Sequence, residues 1–284
     1  MKANTNSTAN VSMSNAQSND EIDFVEITPN APKKIFSKNI FFQAFKRSWK
    51  LWLILTLLMS FYMFSYMLAC KDMSVYQGVE GLEGFSATTL IATGFFGLLG
   101  IIFTLMYAVS IGNKMVAKEV DKGTMSFTLN TPITRLQIVL TKAFYFVLSI
   151  GAMIGILSIV GVIFANVFSV DIDFAVFFKL VLGYFLYSFA ISGICFGASC
   201  WFNKSAHSML VGAGLPIVFI VLNAVSTIDD KLKFFKYFSL NTLYDTSNIL
   251  AGHNYVIQFI ALAIIGFVCY IAGIVKFNTK DLPL

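Results

Sequence analysis

The sequence predicts an all-α integral membrane protein with six transmembrane helices, both chain ends in the cytoplasm, and an amphipathic interfacial helix before the first span. Three observations predict this fold. Of 284 residues, 57% are hydrophobic and 12% are charged, whereas a soluble domain carries about 25% charged residues. The apolar residues gather in runs of about twenty, which suits a lipid environment. The basic residues fall mostly between alternate runs, as the positive-inside rule requires.

The chain begins with two polar segments of different character. Residues 1–34 are rich in Asn, Ser and Thr and contain no apolar run, which predicts a disordered cytoplasmic tail. Residues 35–50 place aromatic side chains at helical spacing with basic residues between them: Phe41, Phe42, Phe45 and Trp49, with Lys38, Lys46, Arg47 and Lys50. This pattern is typical of a basic amphipathic helix lying in the membrane interface. The alternative is that residues 35–50 are the cytoplasmic end of the first span.

The membrane domain, residues 35–284, contains six apolar segments long enough to cross a ~30 Å hydrocarbon layer. They are residues 51–69, 88–111, 138–166, 176–200, 208–226 and 255–275. With the N-terminus in the cytoplasm, 15 of the 20 Lys and Arg residues lie on the cytoplasmic side. This distribution predicts that both ends of the chain lie inside. The central thirds of the spans contain no charged residue, so no side chain there would bind a coupling proton.

A cytoplasmic stalk is predicted over residues 112–138. Gly123 is placed to end a helix that continues from the second span. Thr131 and Pro132 form a helix start, as N-cap and first helical residue. Helices from Thr88 to Lys122 and from Pro132 to Asn166 would each be ~52 Å long, which exceeds the hydrocarbon layer by ~20 Å.

The predicted tip of this stalk is residues 124–130. It contains Met125, Phe127 and Leu129, which a solvated loop would not favour. An exposed apolar tip would suit docking into a groove of a partner protein. The alternative is a tip that folds back onto the membrane interface.

The residues around this tip form a spaced pattern: Glu119-x-x-Lys122-Gly123-Thr124, then Leu129-x-x-Pro132-Ile133-x-Arg135, then Lys142. This pattern resembles the signature of the ABC-2 family of exporter membrane subunits. In that family an acidic residue and a Gly-Thr pair precede a short coupling helix, and a Pro-containing turn and a Lys follow it.

The resemblance implies a permease subunit that couples ATP hydrolysis by a separate ATP-binding subunit to export. ATP and Mg²⁺ would bind to that partner, and this chain would hold no cofactor and no metal. A second permease copy or a related permease would complete the pathway, in contact with membrane lipid and in a bacterial plasma membrane. The residues implied in coupling to the ATP-binding subunit are Glu119, Gly123, Thr124, Met125, Phe127, Leu129, Pro132 and Arg135. Glu119 and Asp121 would pair with Lys122, Arg135 or the partner, and Arg135 would bind a carboxylate or the stalk backbone.

Other features exclude several functional classes. The sequence has no G-x-x-x-x-G-K-[ST] motif, so it does not bind ATP through a P-loop. The two histidines, His207 and His253, lie between spans, which argues against a haem subunit. The four cysteines form no CxxC pair and are expected to be free, buried thiols. Basic residues are sorted by membrane side rather than clustered in one patch, so no nucleic-acid partner is expected.

Two further patterns leave alternatives open. The pairs Gly151/Gly155 and Gly193/Gly197 permit close helix contacts, either within the subunit or at a dimer face. Residues 227–254 form an outer re-entrant or interfacial segment. Its Leu232, Phe235 and Phe238 alternate with lysines and indicate a short helix in the outer interface. The alternative is a lid that seals the bundle.

The absence of buried charge favours an amphipathic or hydrophobic cargo, such as a peptide, lipid or drug. The competing functional class is a non-transporting membrane receptor or immunity protein with a cytoplasmic docking stalk. An ion-independent facilitator, which would need no ATPase, is a further alternative.

Overall fold

Long apolar helices dominate the computed structural model, which describes residues 36–71, 86–125, 133–226, 228–252 and 255–280. The α-helices of these residues are α1 (Lys38–Lys71), α2 (Ala87–Met115), α3 (Ala117–Asp121), α4 (Arg135–Val167), α5 (Phe174–Trp201), α6 (Ser205–Ser226), α7 (Thr246–Ala251) and α8 (Tyr255–Thr279). Two 3₁₀ helices, Asp230–Phe238 and Leu240–Leu243, lie between α6 and α7. Six helices, α1, α2, α4, α5, α6 and α8, are long and apolar enough to cross a membrane. The six predicted spans are therefore confirmed, and no strand occurs within the described ranges.

The first span's helix includes most of the residues predicted to lie in the interface. α1 runs for 34 residues without a break, which corresponds to ~51 Å and exceeds the hydrocarbon layer. Residues 38–50 are thus the first turns of this helix and not a separate element. This agrees with the alternative interpretation, in which they are the end of the first span.

The central helix of the bundle is α5, which packs against α2, α4, α6 and α8. Tyr184, Tyr187 and Phe196 on α5 are each less than 2% exposed. Small residues bring α5 close to α8, since a Cβ added at Gly193 would lie 2.9 Å from the carbonyl oxygen of Gly266. The Gly193/Gly197 pair therefore serves packing within the subunit, whereas a Cβ at Gly155 would meet nothing within 4 Å.

α2 is irregular along its length. Residues Ile91–Leu99 form a π-helix, and Gly97 leaves the helical range at φ −72° and ψ −119°. Gly94 and Gly100 lie against Tyr66 and Tyr184, where an added Cβ would be 2.5 Å and 3.1 Å from ring atoms. These two glycines allow neighbouring aromatic side chains to pack closely against α2.

Several buried tyrosines bond to hydroxyl groups or backbone carbonyls of neighbouring helices, as suits polar groups removed from water. The Tyr184 hydroxyl donates to the Gly100 carbonyl at 2.8 Å. The Tyr107 hydroxyl donates to Ser149 Oγ at 2.7 Å, and the Tyr270 hydroxyl donates to Ser192 Oγ at 2.8 Å. The buried charged residues of the described chain are Glu119 and Lys142, so the middle of the bundle is polar in places but uncharged.

The segment between α6 and α8 closes one end of the bundle. Leu240, Tyr244 and Ile249 are buried, and the Tyr187 hydroxyl of α5 donates to Asn241 Oδ1 at 2.8 Å. This packing matches the alternative of a lid. The predicted amphipathic helix is a 3₁₀ helix, and its Phe238 is 59% exposed.

Candidate functional site

The predicted functional segment connects α2 to α4 at the end of the bundle where α1 and α6 begin and α5 and α8 end. The structure describes this segment up to Met125 and again from Ile133. The predicted site residues Phe127, Leu129 and Pro132 lie outside the described residues. Glu119, Gly123, Thr124, Met125 and Arg135 can be placed.

The helix of the second span does not continue unbroken to Lys122, and this length prediction was wrong. Val116 has φ −130° and ψ −63°, so it separates α2 from α3. The break is stabilised by α5, because the Ala117 amide donates to Ser199 Oγ at 2.9 Å. Val116 is 1% exposed and Ala117 is fully buried. The segment therefore packs against the bundle at this point and is not a free stalk.

Gly123 ends α3, as the sequence predicts. Its φ of +67° lies in the left-handed region, which glycine adopts at little cost. Its amide donates to the Val120 carbonyl at 3.0 Å. Thr124, which is exposed, donates from Oγ1 to the Glu119 carbonyl at 3.2 Å.

Met125 does not belong to an exposed tip, which corrects the prediction for this residue. It is 1% exposed and lies in the hydrophobic core of the protein. The physical reason is that apolar residues of the chain itself pack around this side chain. In this arrangement the Met125 side chain is therefore not exposed to a partner subunit.

Glu119 is the centre of the site. Its side chain is 10% exposed, and its two oxygens bind different cations. Arg47 Nη1 of α1 donates to Oε1 at 2.6 Å, and Lys142 Nζ of α4 donates to Oε2 at 2.5 Å. Lys142 also donates to the carbonyl of Met115, the last residue of α2, at 2.7 Å. One carboxylate thus joins α3 to α1 and α4, and Lys142 joins α2 to the same cluster.

These partners differ from the predicted ones, which were Lys122, Arg135 or basic residues of a partner protein. Lys142 was part of the recognised pattern, but Arg47 was missed because it stands in a basic run that the sequence analysis assigned to the membrane surface. No local sequence signal distinguishes Arg47 from the other basic residues of this run, because its partner Glu119 lies 72 positions away.

The charge cluster fixes the position of α3 more than it adds to the free energy of unfolding. Removing two charges from water is costly, and a buried ion pair often only compensates that cost. Deleting one partner, however, leaves a buried charge and costs about 3–5 kcal/mol. Lys142 is 4% exposed, so its charge depends on Glu119 being in place. The cluster therefore favours one arrangement of α3 relative to α1 and α4.

Arg135 forms a second connection at this end of the bundle. Its Nη1 donates to the backbone carbonyl of Lys280 at 3.0 Å. Lys280 Nζ donates in turn to the carbonyls of Trp201 at 2.7 Å and Cys200 at 3.3 Å, at the end of α5. A cation at this position complements the helix C-terminus, and burial lowers the pKa of the Lys280 amine. The prediction that Arg135 binds a carboxylate or the stalk backbone is corrected: it binds the backbone that follows α8.

The start of α4 also differs from the prediction. The N-cap is Thr134, whose hydroxyl accepts from the Gln137 amide at 3.3 Å, and the helix begins at Arg135. The predicted start at Thr131 and Pro132 lies three residues too early. The capping hydroxyl of Thr134, with its extended backbone (φ −72°, ψ 149°), sets the boundary.

The arrangement offers a mechanical role rather than a chemical one. All four cysteines are free thiols, and three of them are buried. Among the described residues no group of three His, Cys, Asp or Glu side chains is placed to hold a metal ion. What the site does provide is a set of charged hydrogen bonds that ties the α2–α4 connection to four spans.

Comparison with known proteins agrees with the motif. A family model described as ABC-2 family transporter protein matches residues 39–282. No curated protein matches the sequence. The matched range includes all six spans and the complete Glu119 cluster. Because the match covers most of the chain, this protein belongs to the ABC-2 family, the multi-pass permease components of ABC transporters.

Proposed function

We propose that this chain is the permease subunit of an ATP-driven exporter, in which residues 117–135 transmit movement from a separate ATP-binding subunit to the membrane helices. The observation that carries the proposal is the Glu119 cluster. Arg47 and Lys142 hold the carboxylate from α1 and α4 at 2.6 Å and 2.5 Å. A displacement of α3 is therefore passed to both helices, because breaking either contact exposes a charge to an apolar environment.

The surface for docking is proposed beside this cluster. Asp121, Lys122, Gly123 and Thr124 are exposed at the end of α3. Phe127 and Leu129 follow in the sequence, and we propose that they insert into a groove of the ATP-binding subunit. Met125 then has a positioning role, because its burial anchors the start of this surface to the core.

The proposed cargo is amphipathic or hydrophobic. Both buried charged residues of the described chain, Glu119 and Lys142, lie at one end of the bundle. A hydrophilic ion crossing the middle would find hydroxyl groups but no charge to replace its hydration. A peptide, a lipid or a hydrophobic drug does not require such a charge.

The remaining parts of the proposal concern the assembly. The chain is not itself an enzyme, and ATP and Mg²⁺ bind to the partner. Two permease copies, or this chain and a related permease, form the pathway with two ATP-binding subunits beneath them. The complex lies in a bacterial plasma membrane with both ends of this chain in the cytoplasm.

The test is purification of the tagged protein from its native membranes in mild detergent, with identification of bound proteins and an ATPase assay. We expect a P-loop ATPase to co-purify with the wild type. Phe127→Asp is expected to release it, because a carboxylate cannot enter an apolar groove without a large cost. Phe238→Asp is the matched control, since Phe238 is 59% exposed at the opposite end of the bundle and should not affect binding.

A variant of the Glu119 cluster distinguishes binding of the ATP-binding subunit from transmission of its movement. The double variant Glu119→Gln/Lys142→Met removes both buried charges without leaving Lys142 unpaired, so the ATPase is expected to remain bound but to lose its response to cargo. If no ATPase co-purifies even after gentle cross-linking, the exporter proposal is wrong and the receptor or immunity alternative takes its place.

A further inference from the structure

An apolar groove lies along α5 and is lined by residues of α6 and α8. Its walls include Gly193, Gly197 and Ala198 of α5 and Ala272 and Gly273 of α8. Val211 and Leu215 of α6 line it as well. Its volume is about 370 Å³, within the ~300–1,000 Å³ of small-molecule sites.

The shape of the groove suits an extended chain. From Gly193 to Trp201 the helix rises ~12 Å. Spread over that length, the volume of about 370 Å³ gives a cross-section of roughly 30 Å². A single hydrocarbon chain fits a space of this width.

The position of the groove places its end at the membrane surface. It follows the last third of α5 and ends at Trp201, the final residue of that helix, and at Phe202. Trp201 is 56% exposed, as is typical of tryptophans at the level of lipid headgroups. The apolar part of the groove thus lies within the hydrocarbon layer, and its mouth lies at the headgroups.

Lys276 lies at this mouth and forms no ion pair with any acidic residue that the structure describes. Lys276 Nζ lies 5.0 Å from the centroid of the Trp201 ring. Both ion pairs found in the described part of the chain belong to Glu119. The sequence has no Asp or Glu from Phe174 to Ser226 or from Tyr255 to Lys280, and Lys204 is exposed nearby in the chain. The charged side chains at this end of α5 and α8, among the residues that the structure describes, are therefore cationic.

We propose that this groove binds a membrane phospholipid with an anionic headgroup. One acyl chain lies along Gly193–Trp201, and the headgroup phosphate lies at Lys276. The groove supplies apolar contact inside the layer, and the Lys276–Trp201 pair supplies charge and an amphipathic ring at its surface. The proposal concerns this chain alone and does not depend on the proposed export function.

The test uses the full-length protein in nanodiscs of neutral phosphatidylcholine with a trace of photoactivatable lipid. The lipid carries a diazirine on one acyl chain and either a phosphatidylglycerol or a phosphatidylcholine headgroup. After irradiation, adducts are mapped by mass spectrometry. We expect the phosphatidylglycerol probe to label Ile194, Val211 and Leu215 more than Ile159, which is 60% exposed on α4. The phosphatidylcholine probe should label the groove about fivefold less, the effect of one interfacial lysine.

Three variants test the assignment. Lys276→Gln should remove the preference for phosphatidylglycerol. Lys46→Gln is the matched control, because Lys46 Nζ also lies 5.0 Å from an aromatic ring, that of Phe42, away from the groove. Ala272→Trp should fill the groove and abolish its labelling by both probes, provided that the variant remains monodisperse; Lys276→Gln keeps the test decisive if it does not.

Two results would overturn the proposal. Equal labelling of the groove by both probes, unchanged in Lys276→Gln, would show that no anionic site exists there. Absence of groove adducts together with a disulfide-linked dimer through Cys269, which lines the groove, would show that a second copy of the chain occupies it.

Discussion

Glu119 and Lys142 form an ion pair with 2.5 Å between Oε2 and Nζ, on either side of the segment that connects α3 to α4. The ion pair therefore fixes α3 to α4, the two helices that this segment connects. Lys142 has a second acceptor in the Met115 carbonyl at 2.7 Å, and Glu119 has a second donor in Arg47 at 2.6 Å. The loop is thus held at its base by four groups from four helices.

Loss of the Glu119 charge is expected to destabilise the protein more than loss of the Lys142 charge. Glu119→Gln leaves Lys142, which is 4% exposed, without a counter-charge, and we expect a cost of about 3–5 kcal/mol. Lys142→Met leaves Glu119 bound to Arg47, whose side chain is 36% exposed, so the cost should be smaller. Thermal unfolding in detergent, followed by tryptophan fluorescence, measures both.

The double variant Glu119→Gln/Lys142→Met provides the control for this prediction. It removes both buried charges, so it should recover much of the stability lost in Glu119→Gln alone. Additive losses in the double variant would show that the two side chains act independently and that the pair does not fix the loop.

Gly123 is expected to be required for its backbone conformation alone. Its φ is +67°, and a Cβ would meet nothing within 4 Å, so Gly123→Ala should cost about 1 kcal/mol through left-handed backbone strain. Gly123→Asn should cost less, because Asn tolerates this region. Gly155 offers the matched control: it is equally open but lies inside α4, where Ala is favoured over Gly by ~1 kcal/mol.

The two alanine substitutions should therefore change stability in opposite directions. Unfolding midpoints of Gly123→Ala and Gly155→Ala in the same detergent measure this. A shift of both in the same direction would show that Gly123 is retained for a contact and not for its conformation.

The sequence predicts where the helices lie along the chain better than it predicts which helices pack against each other. Hydropathy locates six spans because each must cross the same apolar layer, and the turn preference of glycine locates Gly123. Neither property indicates which helices touch. The Arg47–Glu119 pair joins residues 72 positions apart, and only the folded structure brings α1 and α3 together at this point.

The errors at the site have the same origin. A tip containing Met125 looks exposed when only the local sequence is considered, yet distant core residues cover this side chain. The break at Val116 is stabilised by Ser199 of α5, which accepts a hydrogen bond from the Ala117 amide, 82 positions away in the sequence. Thr131 and Thr134 are both acceptable N-caps by sequence, and the observed backbone selects Thr134.

Gly193 is expected to hold α5 against α8 within one subunit. Gly193→Ala would place a Cβ 2.9 Å from the Gly266 carbonyl oxygen, and this backbone atom cannot move without separating the helices. We expect a loss of 1–3 kcal/mol, typical of overpacking in a filled interior. Unfolding midpoint and oligomeric state by size exclusion measure the effect. A variant with unchanged stability but a broken dimer would instead place Gly193 at an interface between copies.

The orientation in the membrane decides whether an ATP-binding subunit can reach the Glu119 cluster. In the proposed exporter the ATP-binding subunit lies in the cytoplasm, so we expect the end of the bundle that carries Lys204, Lys280 and this cluster to face inward. The surplus of Lys and Arg at this end favours the same orientation. Tyr237 is 85% exposed at the other end, and Lys204 is exposed at the cluster end. In a Cys269→Ala background, a membrane-impermeant maleimide should label Tyr237→Cys in intact cells. It should label Lys204→Cys only after permeabilisation. The reverse pattern would put the cluster outside the cell, where it could not couple to ATP hydrolysis, and the exporter proposal would fall with it.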